Sequence, residues 1–215
     1  MNGFDLLAPI YDRLVRLVFG KSMFNAQTYF LDRVKPGDHV LILGGGTGWL
    51  LFELLQKQPS CEVWYVESSS RMIELAKEKT NNHPNVKFIA GTDESIPSKH
   101  FDIVIMNFFL DLFTEGRVTR IIMRIKASMK PEGMWIITDF NNGNKWWQRV
   151  LLAIMIFFFR LICAIEAKRL PDLKSLFAEQ HLAEISGCSF FKGFIKAGLY
   201  QIPVKMSVLS IGKKD

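Results

Sequence analysis

The chain has 215 residues, 49% of them apolar, 13% aromatic and 22% charged. That balance suits one folded domain and excludes collagen-like, coiled-coil and low-complexity classes. A formal charge of +6 admits an anionic partner without naming one. Cys61, Cys163 and Cys188 are odd in number and far apart, which excludes a disulfide framework and a CxxC metal knuckle and fits a reducing cytoplasm. The opening Met1–Asp5 lacks the basic start of a secretory signal, so export is not expected.

Leu7, Ile10, Leu14, Leu17 and Val18 recur at helical spacing before Gly20, which predicts an amphipathic N-terminal helix; a second helix is predicted over Met23–Arg33. Lys35-Pro36-Gly37-Asp38 marks a turn ahead of Val40–Leu43, a strand buried on both faces. Strands and helices then alternate: a helix through Leu51, Leu54 and Leu55, a strand over Val63–Val66, a helix through Met72, Leu75 and Ala76, and strands over Val86–Ala90 and Phe101–Met106. Thr114 is the expected N-cap of a helix whose Val118, Ile121, Ile122, Ile125 and Met129 share one face. Lys130-Pro131-Glu132-Gly133 is read as its end and Met134–Thr138 as the fifth strand. A helix carrying Leu173, Leu176 and Phe177 precedes two last strands, expected at Ile185–Phe190 and Met206–Ile211. This order predicts an α/β fold, a mostly parallel seven-stranded sheet with helices on both faces, whose ligands bind beyond the carboxyl ends of the strands.

The organisation expected is one domain over 1–215: a helical cap (1–35), a binding core (36–140), an apolar helical lid or interface segment (141–182) and C-terminal strands (183–215). Within the core, Gly44-Gly45-Gly46-Thr47-Gly48 falls where the first strand turns into a helix, and its glycines remove side chains that would keep a ligand from the backbone. A dinucleotide fingerprint needs a third glycine at position 49, which is Trp, and no Lys-Ser follows Gly48, so neither a nicotinamide cofactor nor a nucleotide-hydrolysing P-loop is expected. Glu67, at the end of the second strand, is placed to accept hydrogen bonds from both hydroxyls of a ribose.

These residues resemble the class I S-adenosylmethionine-dependent methyltransferases, whose first motif reads G-x-G-x-G, here Gly44, Gly46 and Gly48. The likeness continues through Val63–Ser70, through Gly91–Pro97 before Phe101–Val104, and through Lys130–Met134. It implies a Rossmann-like methyltransferase fold with S-adenosyl-L-methionine as cofactor, held by Gly44, Gly45, Gly46, Thr47, Gly48, Glu67, Ser68, Met72, Thr92, Asp93, Glu94, Asn107 and Phe108. The opening Phe4–Asp12 is similar to the start of the ubiquinone and menaquinone biosynthesis methyltransferases. Two positions depart from the pattern: Ile42 stands where the family carries an acidic residue, and Gly91-Thr92-Asp93 stands where it carries Gly-Asp.

Methyl transfer to O–H, N–H or activated C–H needs a proton acceptor. Asp111, past the fourth strand, is the first candidate, followed by Tyr11 and His100, each with a structural alternative as helix-start carboxylate, core anchor and solvated side chain. No histidine and cysteine spacing suggests a metal site, and no metal is expected. Val150–Ile165 is almost wholly apolar, with Arg160 inside it, and is shorter than the about 20 residues a membrane-spanning helix needs. Three readings stay open for it: a buried or homodimer-interface helix through residues 146–165, a lid over an apolar acceptor, and an interfacial helix whose Trp146, Trp147, Lys145, Arg149, Lys168 and Arg169 meet anionic lipid. The function expected is methyl transfer to a small, largely apolar acceptor such as a quinone precursor or lipid, with a noncatalytic cofactor-binding or partner-stabilising domain as the alternative. A nucleic-acid partner is not expected, because Phe157–Phe159 lie in an uncharged run.

Overall fold

The computed structural model describes residues 3–141 and 145–203. Two helices, α1 (Gly3–Phe19) and α2 (Ser22–Thr28), precede β1 (His39–Leu43) and α3 (Trp49–Lys57). Then come β2 (Glu62–Glu67), α4 (Ser70–Lys79), β3 (Val86–Ala90), β4 (Phe101–Asn107), α5 (Glu115–Ser128) and β5 (Met129–Phe140). The chain continues through α6 (Trp146–Cys163), α7 (Leu173–Glu179), β6 (Ala183–Phe190) and β7 (Ile195–Gln201). The 7-stranded sheet has the order β3-β2-β1-β4-β5-β7-β6. It is parallel except that β7 runs antiparallel to both β5 and β6.

Alternate residues of the central strands feed opposite faces, as the period of two requires. Leu41, Leu43, Val104 and Met106 pack with α5 and α7 residues on one side. Val40, Ile42, Ile103 and Ile105 pack with Leu51 and Leu54 of α3 on the other. A third cluster joins Val15, Phe19 and Met23 to Phe140 and Phe194, with Trp147, Leu151 and Leu152 of α6 against it. The sheet order reverses between β1 and β4, and such a switch point opens a crevice beyond the strand ends.

Several expectations change. The helix expected over Met23–Arg33 ends at Thr28, whose hydroxyl turns back to the Phe24 carbonyl at 3.0 Å. Leu31–Arg33 forms a separate 3-10 turn that buries Phe30, Leu31 and Val34 against the sheet. Thr114 sits at the N-cap of α5 but makes no side-chain capping bond. Met129 leaves the helix face and Lys130–Gly133 are part of β5 rather than a turn. Pairing of Phe101 with Met129 and then of Ile103 with Met134 absorbs the extra residues in a register shift, while Lys130 Nζ reaches Asp102 at 2.6 Å. The strand expected at Met206–Ile211 lies outside the described residues; the seventh strand is Ile195–Gln201.

The sheet depends on tight turns after its strands. Gly48, at the N-cap of α3, has φ of 77°, and a Cβ there would fall 2.5 Å from that of Ala76. Gly48→Ala is therefore expected to lose about 2–4 kcal/mol of unfolding free energy from left-handed strain and overpacking together. Urea unfolding of the two proteins measures it; an unchanged midpoint would show that α3 and α4 can separate freely.

Candidate functional site

The glycine loop is held from below by Glu67. Its Oε2 accepts the Gly46 amide at 3.0 Å and its Oε1 the Ser69 amide at 2.8 Å, while Ser68 Oγ donates to Oε1 at 3.3 Å. Burial pushes the Glu67 pKa up, and these donors oppose the shift. Tyr65 Oη donates to the Gly46 carbonyl at 2.6 Å, so both ends of the Gly46 peptide region are fixed by β2. Gly46 has φ of 66°, and a Cβ on it would meet nothing closer than Met72 Sδ at 3.9 Å. The open side of the loop is thus the side facing the crevice.

A cavity of about 310 Å³ lies there, lined among others by Gly44, Gly46, Glu67, Ser68, Met72, Thr92, Asn107 and Phe108. Asn107 carries the clearest sign of a ligand: its buried Nδ2 and Oδ1 both lack a hydrogen-bond partner. Leaving buried polar atoms unsatisfied costs free energy, and a ligand with a donor and an acceptor at this point relieves it. Carboxylate sites on Glu67 beyond its internal bonds remain available to a hydroxyl.

Other expected contacts lie elsewhere. Gly45 and Thr47 line a neighbouring cavity of about 60 Å³ together with Ile42, Asp12 and Asn107. Thr47 Oγ1 donates to Asp12 Oδ1 at 2.7 Å, and Lys79 Nζ reaches Asp12 Oδ2 at 3.1 Å. Asp12 of α1 thereby brings a carboxylate to the neighbourhood that Ile42 leaves uncharged. Gly48 lines neither cavity, being packed on α4. Asp93 and Glu94 also line neither: Asp93 is buried with its two oxygens on Arg117 Nη2 at 2.6 Å and Arg124 Nη1 at 3.0 Å, and Glu94 joins the same arginines from the surface. These acids fasten the loop after β3 to α5.

Helix α1 roofs the crevice. Ser69 Oγ donates to Asp5 Oδ1 at 2.6 Å, and Phe4 and Tyr11 reach into the larger cavity. Burial, then the charges of Asp111, Asp12 and Glu67, push the Tyr11 phenol far up. It stays protonated at neutral pH, which removes it as a proton acceptor and leaves it a donor. His100 is exposed just before the first residue of β4, at the opposite end of that strand from Asn107, and is no part of the site.

A further cavity, of about 230 Å³, lies between α1 and α6 and meets the first at Phe4, Tyr11, Phe108, Leu112 and Ile165. Its lining is apolar apart from Tyr11 and one carboxylate, Asp111. Phe108, at the junction, has φ of 51°, a strained conformation for a residue with a side chain. Asp111, half-buried with its Oδ1 enclosed, lies beside the buried Asp139, a residue at the end of β5 that the sequence reading missed. The Asp111 amide donates to Asp139 Oδ2 at 3.2 Å, and Asp139 Oδ1 accepts the Phe140 amide at 2.9 Å. Burial raises both pKa values and mutual repulsion raises that of Asp139 further; Asp111 is pushed up to about 7. Two adjoining carboxyls in this setting hold one proton between them, and Asp111 Oδ1 has no internal partner. A carboxylate at a strand's carboxyl end is the signal that Asp139 carries in the sequence.

In α6, Gln148 and Cys163 alone are buried, so the buried-helix reading fails. Leu151, Leu152, Met155 and Phe159 line the apolar cavity, as a lid would, and Cys163–Glu166 line the larger one. The helix begins before the apolar run and, contrary to the length expectation, is long and apolar enough by length and composition to cross a membrane.

A glycine-turned β1, a buried acid ending β2 and a sheet of this order give the Rossmann-like fold that the resemblance to class I methyltransferases implied. Comparison with known proteins agrees: residues 40–133 match the family described as a methyltransferase domain. A malonyl-[acyl-carrier protein] O-methyltransferase of Halalkalibacterium halodurans is 31% identical over 107 residues, 47% of this chain and 39% of that protein. A ubiquinone/menaquinone biosynthesis C-methyltransferase of Francisella tularensis subsp. novicida is 28% identical over 147 residues, covering 65% and 58%. The chain therefore spans less than two thirds of these relatives. Among solved structures, the complex between the Haloferax volcanii Trm112 methyltransferase activator and a methyltransferase matches with a TM-score of 0.74 at 15% identity, covering 94% of this chain and 99% of that one. The mitomycin 7-O-methyltransferase matches with a TM-score of 0.69 at 15% identity, covering 93% and 60%.

Because Asp93 holds two guanidinium groups while itself almost wholly buried, Asp93→Ala is expected to cost about 3 kcal/mol of stability, below the upper end for buried pairs since Arg124 is partly exposed. Chemical denaturation reads this directly, and a loss within error of zero would show that the loop is held without the pair.

Proposed function

We propose that this protein transfers a methyl group from S-adenosylmethionine to a small, largely apolar acceptor, such as a quinone precursor or a lipid, seated between α1 and α6. One observation carries the reading: a glycine-loop cavity with unsatisfied amide atoms meets an apolar cavity whose lone charged group is Asp111. The names of the relatives, which include C-methylation in quinone biosynthesis, support it. The unpaired thiols Cys61, Cys163 and Cys188 support a reducing, cytoplasmic setting.

S-Adenosylmethionine supplies an electrophilic methyl on a sulfonium, displaced in line with loss of the positive charge. For the donor, Glu67 offers acceptors to the ribose, Asn107 one donor and one acceptor, and the Gly44–Gly46 backbone a surface without side chains. The aromatic and aliphatic walls of the second cavity orient the acceptor and exclude water, and holding two reactants in attack geometry removes about 7–11 kcal/mol of barrier. Asp111 takes the proton released from the acceptor's O–H or C–H. Asp139 keeps the shared proton on its own side, and Tyr11 donates a hydrogen bond at the junction.

S-Adenosylhomocysteine at a hundred times its dissociation constant is expected to stabilise the protein by about 2.7 kcal/mol in a thermal-shift assay. Glu67→Ala weakens that binding by about 1.5–3 kcal/mol in calorimetry, and an unchanged constant would reject the ribose role.

Asp111→Asn is expected to lower transfer of labelled methyl into a lipid extract by about 10²–10⁴-fold while S-adenosylhomocysteine affinity stays. Since Asp111 acts when ionised, the wild-type rate rises with pH through about 7 and then levels. A flat profile, or full activity in the variant, would remove Asp111 from the reaction; binding without any labelled product would favour the noncatalytic alternative.

A further inference from the structure

The outward face of α6 is almost entirely apolar. Trp146 is 76% exposed, Phe157 71% and Leu161 75%, with Val150 and Ile154 between them, so one stripe runs the length of the helix at spacings of three and four. Helix α1 lies beside it: the Phe4 and Phe159 rings are 6.3 Å apart, and Gly3 packs on the backbone of Ile162. It adds Leu6, Ile10 and Leu17, the last 83% exposed. The cavity between the helices reaches this face, because Val18 and Ile154 both line it and are both exposed.

The charges on this face have one sign. Arg149 and Arg160 are exposed on α6, which has no carboxylate, and Lys145 precedes it. Arg13 is exposed on α1, whose Asp5 and Asp12 are turned inward to Ser69 and to Thr47 and Lys79. An apolar stripe with a terminal Trp and flanking cations matches the interface of an anionic bilayer. A second copy of the chain fits less well, since joining two such faces brings the same arginines together in an apolar contact. A spanning orientation conflicts with the inner face of α6. Trp147, Leu151 and Leu152 pack against the Phe140 and Phe194 cluster, and Gln148 Nε2 donates to the Lys192 carbonyl at 3.2 Å.

We propose that the exposed faces of α1 and α6 dock in the plane of an anionic membrane surface, with the mouth of the apolar cavity turned to the lipid. An apolar acceptor then enters from the bilayer without crossing water. The acceptor route rests on the proposed methyl transfer; the docking does not.

The test is sedimentation of the whole protein with vesicles of phosphatidylcholine alone or mixed with phosphatidylglycerol. Binding to the anionic vesicles, weakened by salt, is expected. Arg149→Glu with Arg160→Glu lowers the partition at least about fivefold per charge, and Phe157→Ser with Leu161→Ser at least about tenfold. All four side chains are at least partly exposed, so the variants keep S-adenosylhomocysteine binding and the folded circular-dichroism spectrum. The proposal is overturned if the wild type stays in the supernatant with both vesicles. It is equally overturned if the variants bind as well as wild type, or if the wild type forms a dimer without lipid that Phe157→Ser dissociates while vesicle binding is absent. Vesicle binding by a protein that transfers no methyl would leave the docking standing and the methyltransferase reading fallen.

Discussion

A single buried carboxylate organises the glycine loop and the crevice beside it. Glu67 closes β2, and by accepting the amides of Gly46 and Ser69 it ties the turn after β1 to the start of α4. The loop has no side chains to hold it, so its shape depends on these bonds and on Tyr65 at the Gly46 carbonyl. Burial makes the anion costly in isolation; the backbone donors offset that cost, and the same arrangement leaves acceptor capacity toward the crevice. The open face of Gly46 follows from these bonds, while the unsatisfied Asn107 is set independently by the pairing of β4 with β5.

The apolar cavity beside the crevice is built on a different principle. Its walls come from two helices at opposite ends of the core, α1 before the sheet begins and α6 after its fifth strand, and they meet only because both cover the crevice at the switch point. Apolar burial fixes their inner faces, whereas the Asp111–Asp139 pair brings the one carboxylate that lines this cavity. The two acids come from the segment after β4 and the end of β5, neighbours in the sheet though distant in sequence. A charge placed so is expensive to keep ionised, and that cost is what brings Asp111 into the range where it can exchange a proton at neutral pH.

Local patterns were legible where one interaction range dominates. The buried strands of the central sheet and the one-sided face of α5 follow from periodicity, and the glycine loop from its residue types. Readings failed where a distant partner decides. Lys130–Gly133 has the composition of a turn, yet pairing with β4 and the Asp102 ion pair draw it into β5. Asp93 was expected to face the donor because of its place after β3, but arginines from α5 capture both oxygens. Asp139 could not be matched to Asp111 without the strand order. The apolar run in α6 was conspicuous in sequence, but which of its faces is covered is a tertiary fact.

Phe108 stands where the polar and the apolar cavity touch, in a backbone conformation more natural to glycine or asparagine. Its amide is held by the Thr138 carbonyl at 2.7 Å, and its ring packs 4.8 Å from that of Phe140. A residue better suited to that backbone would carry too little bulk to serve as a wall. The strain therefore sits where the two cavities meet, and one aromatic side chain in a pose ordinarily left to glycine shapes the passage between them.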